Sequence, residues 1–226
     1  MRGIFPVALA GLFLFAGGAV AQTATDSETM AASKLFPLLD TYLGLPPAER
    51  DQFHLEYGVT GNGAAANTHL TLKRSSGDMP IPLAADGRIL AVPDLADLTS
   101  AQVVMTTPKG SHYGVSLHIV ANEAPAQRLD VAPLKAGIDQ ARAAGRKTAG
   151  LMAMMAPDFE TVCFVDAGSG QAILEDGKTI ALKISAPPSM PKFLNPCLTP
   201  ADQPQVRQVS LAHTPTSILI VRRPTN

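Results

Sequence analysis

Residues 66–93 read Ala66-Asn67-Thr68-His69-Leu70-Thr71-Leu72-Lys73-Arg74-Ser75-Ser76-Gly77-Asp78-Met79-Pro80-Ile81-Pro82-Leu83-Ala84-Ala85-Asp86-Gly87-Arg88-Ile89-Leu90-Ala91-Val92-Pro93, the most strongly patterned stretch of the chain. Leu70 and Leu72 alternate with polar residues, and Met79, Ile81 and Leu83 alternate with Pro80 and Pro82. Ser76-Gly77 and Asp86-Gly87 supply turn residues, so the stretch predicts a meander of three short strands. In a strand, residues two apart offer their backbone groups to the same side. Pro80 and Pro82 therefore leave one side without donors, and 79–83 is expected at a sheet edge.

Working outward, Phe53 to Thr60 alternates Phe53, Leu55, Tyr57 and Val59 against polar residues and predicts a strand that turns at Gly61-Asn62-Gly63. Ser33 is expected to cap a short helix carrying Leu35, Leu38, Leu39, Tyr42 and Leu43, with residues 22–32 a loose polar lead. Residues 93–100 read as a polar connection. Val103-Val104-Met105 and the run from Tyr113 to Ala121 predict a second hairpin turning at Pro108-Lys109-Gly110. The period changes at Asp130 to Ala144, where Leu134, Ile138 and Ala141 form an apolar stripe beside a charged one of Lys135, Asp139, Arg142 and Arg146, an amphipathic helix. The Met-rich run 151–155 is expected to fill a core. Strands return at 162–165, 172–174, 180–184, 206–211 and 217–221, interrupted by a Pro-rich loop over 187–204.

The expected class is α+β, with antiparallel sheets and a few helices. Both halves run helix, strand, glycine turn, short strand, loop, hairpin, and Asp86-Gly87-Arg88 matches Asp176-Gly177-Lys178 as Gln102 to Pro108 matches Gln208 to Pro215. The division expected is a signal peptide over 1–21, a first half over 22–128 and a second over 129–226. The two halves are either pseudo-repeated modules or one continuous domain, since Asp-Gly turns look alike anywhere.

Arg2, the apolar run to Val20 and Ala19-Val20-Ala21 have the three parts of a cleavable secretory signal, and no basic stop-transfer cluster follows. Cleavage would leave 205 of the 226 residues, with 17 Lys and Arg against 19 Asp and Glu. Periplasmic or secreted localisation follows, with no membrane span retained. This near-neutral balance gives no bulk attraction to nucleic acid or an anionic membrane, and aromatics at 5% with no Trp weaken the case for a carbohydrate or nucleic-acid stacking platform. Cys163 and Cys197 are the only cysteines, and export favours a disulfide between them; a redox or nucleophilic thiol is the alternative, without a C-x-x-C to support it.

Gly77 to Leu83, Asp86-Gly87-Arg88 with Pro93, the stretch from Ala149-Gly150 to Ala156-Pro157, and Gln203 to Val206 ahead of Thr214-Pro215 resemble a family of exported proteobacterial proteins of unknown function. The resemblance implies an exported α+β fold and no activity. The Cys197 loop departs from it.

Motifs for chemistry are scarce. The five histidines form no H-E-x-x-H, and Gly168-Ser169-Gly170 between strands is a turn and not a nucleophile elbow. Ser189 and Lys192 match S-x-x-K inside a Pro-rich loop, where the helix that motif needs is not expected. His54, Glu56 and His69 are the best metal or acid–base cluster, and His112, Ser116 and His118 share a second predicted strand face; a solvated polar face is the simpler reading of both. No catalytic, cofactor or metal residue is therefore assigned, and no cofactor is expected. The reading is a non-enzymatic envelope protein that binds an unknown protein or small ligand through a sheet face or edge, with a periplasmic hydrolase or metalloprotein as the alternative and peptidase inhibition by the 187–204 loop a third.

Overall fold

A computed structural model describes residues 25–61, 67–149, 158–187 and 193–223. Fourteen strands and four helices among these residues form three antiparallel sheets, an α+β fold without a closed barrel. The signal-like segment, the Met-rich run, Ser189 and Lys192 lie outside the described residues.

The first half starts with β1 (Thr25–Ala31), which leads directly into α1 (Ala32–Leu35) and α2 (Leu39–Gly44). It continues with β2 (Phe53–Gly61), β3 (His69–Arg74), β4 (Gly77–Ile81), α3 (Leu95–Ser100), β5 (Gln102–Pro108) and β6 (Tyr113–Ala121). The second half runs through β7 (Arg128–Asp130), α4 (Val131–Ala149), β8 (Phe159–Val165), β9 (Gly170–Leu174), β10 (Thr179–Ala181), β11 (Lys183–Ser185), β12 (Asn195–Leu198), β13 (Val206–Leu211) and β14 (Ser217–Arg222).

One four-stranded sheet has the order β1-β5-β3-β4 and the other, read from its far edge, β7-β13-β9-β10. Registers agree as well. Met30, Val103, Leu72 and Met79 stand opposite one another across the first sheet, and Leu129, Val209, Ala172 and Ile180 across the second. In each half helical residues follow the strand, with buried side chains at one spacing: Ala32 and Leu35 of α1 and Leu39 of α2 after Met30, and Val131, Leu134 and Ile138 of α4 after Leu129. The six-stranded sheet β11-β12-β8-β14-β6-β2 takes strands from both halves, which meet where Leu219 and Ile220 face Val120 and Ile119.

Apolar alternation decides which way each strand faces, and the two cores follow from it. Phe53, Val162, Phe164, Ile218 and Ile220 meet Leu134 and Ile138 of α4 in the larger core, where each fully buried aliphatic side chain contributes about 1.5–3 kcal/mol. Gly137 lets α4 approach closely, since a Cβ there would lie 3.1 Å from the Gln52 carbonyl oxygen and 3.4 Å from Ile220. The smaller core gathers Leu35, Leu39, Tyr57, Val59, Leu70, Leu72 and Leu98.

Several expectations need correction. The lead over 22–32 is a strand from Thr25, because backbone pairing to β5 needs no apolar alternation. Ser33 lies inside α1 and caps nothing; Pro37 cannot donate to the preceding turn, so the helix breaks there, Leu38 turns to φ 66° and is exposed, and Tyr57 donates to the freed Pro37 carbonyl at 2.7 Å. The 93–100 connection contains α3, capped by Asp94, whose carboxylate accepts from the Asp97 amide at 2.8 Å. β4 is the edge strand that Pro80 suggested, and the third strand of the meander turns back on its end: Ile89 bridges Leu83, and the Leu90 amide donates to the Pro82 carbonyl at 2.9 Å. That third strand also reaches β2, where the Ile89 amide donates to the Tyr57 carbonyl and the Val59 amide to the Gly87 carbonyl. β5 and β6 make no hairpin: the turn at Pro108 to Ser111 forms, and the chain then crosses to the six-stranded sheet, as it does between β13 and β14. Asp176-Gly177 closes β9 to β10, whereas Asp86-Gly87 lies beyond β4, so these two turns occupy different places; Gln102 pairs with Ala31 and Lys73, and Gln208 with Asp130 and Ile173.

Candidate functional site

Cys163 and Cys197 are joined by a disulfide. Cys197 lies in strand β12 and not in a loop, because β12 pairs with β8 only at Cys197 and Leu198, and Pro196 falls outside that short ladder. Cys197, Cys163, Leu219, Val120 and His54 succeed one another across five strands, and the first four are buried together on the sheet face away from α4.

The histidine cluster is not assembled. His54 and Glu56 alternate with Leu55 and Tyr57 on β2 and so point away from the smaller core, while His69 alternates with Leu70 on β3 and points away on the opposite side. His54 Nδ1 meets Asn122 Oδ1 at 2.6 Å, and Glu56 lies 3.7 Å from the Arg88 guanidinium. His112 precedes β6 and is exposed, leaving Ser116 and His118 on the strand; the Ser116 hydroxyl donates to the Gly58 carbonyl at 3.3 Å. His118 faces Glu56 across the β2–β6 ladder, and its Nδ1 is buried without a partner. Burial lowers its pKa, opposed by the Glu56 carboxylate. Among the described residues no group of three or more His, Cys, Asp or Glu is placed to hold a metal, and no helix is long and apolar enough to cross a membrane.

The concave surface is elsewhere. Beside the stripe of α4 that enters the core runs a second one, Val131, Lys135, Asp139 and Arg142, and it borders a groove of about 470 Å³. The facing wall is the segment before β13. Pro200 opens a single tight helical turn, in which Gln203 donates to the Pro200 carbonyl at 3.2 Å, and Pro204 prevents that turn from continuing. Val131, Ile138 and Val206 make a nearly closed apolar floor.

Most charges at the rim are matched. Lys135 lies 2.6 Å from Asp139, Arg142 lies 2.9 Å from Asp158 and donates to the Phe159 carbonyl, and Glu160 holds Arg223, which also reaches Asp202 at 3.0 Å. The Glu160 hydrogen bond, aided by Asp202, raises the pKa of the Arg223 guanidinium. Two groups are not matched: Arg207 has no hydrogen bond or ion pair among the described residues, and the side-chain oxygen of Gln203 is buried without a donor. Gln203 also borders a second groove of about 570 Å³, lined by Thr161, Ser185, Leu198 and Thr199, whose wall the disulfide pins. Lys135, Asp139 and Arg142 were visible in the sequence as a charged stripe. Gln203 and Arg207 carried no signal, because their roles depend on a segment 60 to 70 residues away along the chain from α4.

Comparison of the chain with protein-family models, with curated proteins and with solved structures finds no match.

Proposed function

We propose that this is an exported, non-enzymatic protein of the cell envelope, and that the groove beside α4 is its ligand site. The observation that carries the reading is the coexistence there of an apolar floor with the exposed Arg207 guanidinium, which has no side-chain partner among the described residues. Ligand clefts commonly have this mixture of an apolar lining and a few placed polar groups. Export rests on the signal-like N-terminus, and the disulfide suits an oxidising compartment. The binding surface of this reading is a groove, in place of the sheet face or edge expected from sequence.

The same proposal takes the chain as two copies of one β-α-β unit with additional strands. Its support is the common strand order, the common register and the common spacing of buried helix residues. The groove belongs to the second copy, where the two have diverged. The hydrolase or metalloprotein reading loses its best cluster, since His69 is separated from His54 and Glu56 by a core.

A fragment screen on the chain lacking residues 1–21, observed by methyl and amide NMR, tests the site. Hits are expected to shift Ile138, Val206 and the Arg207 side chain together. Hits scattered over the surface, or none in this groove, would reject it.

A further inference from the structure

Leu38 is placed against both preferences of its side chain. The break at Pro37 leaves it at φ 66°, in the left-handed region where a Cβ is opposed and glycine or asparagine is usual, and it is 52% exposed. Neither the backbone nor the chain's own core accounts for a leucine there. A second surface that takes up the side chain would.

Three more aliphatic side chains are exposed at the same end of the first half. Tyr57 ties two segments together: its hydroxyl donates to the Pro37 carbonyl at 2.7 Å, and its own carbonyl accepts from the Ile89 amide at 2.8 Å, so Leu38 and Leu90 follow directly on the two ends of one tyrosine. The far end of α3 is fixed to the start of α1, where the Ala32 amide donates to the Ala101 carbonyl at 3.1 Å. Since α3 packs on both α1 and α2, its first residue, Leu95, lies toward the break between them. Leu90, Val92 and Leu95 are 54%, 42% and 46% exposed. A single exposed aliphatic residue needs no explanation, but four at one end, one of them on opposed backbone, mark an interaction site.

The charges beside Leu38 indicate the occupant. Lys34, in the last turn of α1, is exposed and has no hydrogen bond or ion pair among the described residues, and Asp40, in the first turn of α2, is exposed and has no cationic partner. A cation thus flanks Leu38 on one side and a carboxylate on the other. Such a surface is complementary to itself: about a two-fold axis at Leu38, Lys34 of each molecule meets Asp40 of the other while the leucines meet at the centre.

We propose that this patch joins two molecules of the protein, with Leu38, Leu90, Val92 and Leu95 of each at the centre and the Lys34–Asp40 pairs at the rim. It shares no residue with the groove beside α4 and stands independently of it.

The test is sedimentation velocity on the chain lacking residues 1–21, from about 1 µM to about 500 µM, for the wild type, for Leu38→Gly and for Leu90→Ser with Leu95→Ser. The wild type is expected to pass from monomer to dimer over that range, as a contact of modest size does. Glycine adopts the φ of Leu38 unopposed, so Leu38→Gly should melt no lower than wild type at about 1 µM while its dimer dissociation constant rises more than tenfold. The double serine variant, altered only at exposed positions, should lose the dimer as well. Carbodiimide is expected to link Lys34 to Asp40 between molecules, read by mixing unlabelled and heavy-isotope-labelled protein. A wild type that is monomeric throughout overturns the proposal in favour of a different protein on the patch. A dimer that both variants leave intact, or one in which Lys34 links to Asp40 only within a molecule, overturns it too. If Leu38→Gly melts below the wild type, the leucine serves the fold and the proposal falls.

Discussion

Replacing Cys163 and Cys197 together by alanine removes a cross-link that closes a span of 34 residues. On the chain-entropy model this costs about 3.8 kcal/mol at 25 °C. For a chain of this size, where each kcal/mol is worth about 2–4 °C, the melting temperature should fall by about 8–15 °C. Alanine is preferable to serine because Cys163 is fully buried among Val120, Val165 and Leu219, where a hydroxyl would need a partner. The loss should also have a location. The β11–β12 hairpin is paired to β8 only at Cys197 and Leu198, so amide exchange over 183–198 should accelerate well before that of β14 or β6. Urea melts of wild type and variant, with and without dithiothreitol, measure the first effect, and exchange mass spectrometry measures the second. A destabilisation below about 1 kcal/mol, or protection lost uniformly across the sheet, would refute the view that the bridge anchors this hairpin.

Other consequences can be checked on the same material. Because burial depresses the His118 pKa below 6.5, the native chain binds that proton less readily than the unfolded chain. Its contribution is therefore fully present above pH 6.5 and is lost as the pH falls towards the depressed value; urea melts between pH 4.5 and 7.5 should show a steeper acid loss in wild type than in His118→Gln, and identical slopes would contradict the burial. Leu35→Ala and Leu134→Ala each empty a fully buried site in a different half and should cost about 2–5 kcal/mol. Since the six-stranded sheet joins the halves, each is expected to shift one shared unfolding transition, and two resolved calorimetric transitions would contradict that union.

What could be read in advance divides along physical lines. Strands with one buried face, such as β2 and β3, announce themselves because burial demands alternation, and α4 does so because Leu134, Ile138 and Ala141 must line one side of a helix. The prolines in 79–83 foretold an edge because a missing donor has a direction. β1 was hidden: its side chains are mostly exposed, and backbone pairing leaves no mark on composition. β12 was disguised by Pro196, which a three-neighbour reading takes as a loop. The crossing after Pro108 could not be told from a hairpin, because turn residues specify a local reversal and not the sheet that receives the next strand. The groove was the least legible feature. Its floor comes from α4 and β13, Arg207 from the start of β13, and its far wall from a Pro-rich segment that looks the same whether it packs or stands clear.

The claim at the centre of this account is that the groove is kept open for a ligand. Ala201 lies on its wall, is exposed, and can be replaced by tryptophan to fill the space without touching either core. The direct measurement is the affinity of the groove-binding fragments for Ala201→Trp, made alongside its melting temperature. The account predicts an unchanged melting temperature with binding lost by more than tenfold; undiminished binding by the plugged chain would contradict it.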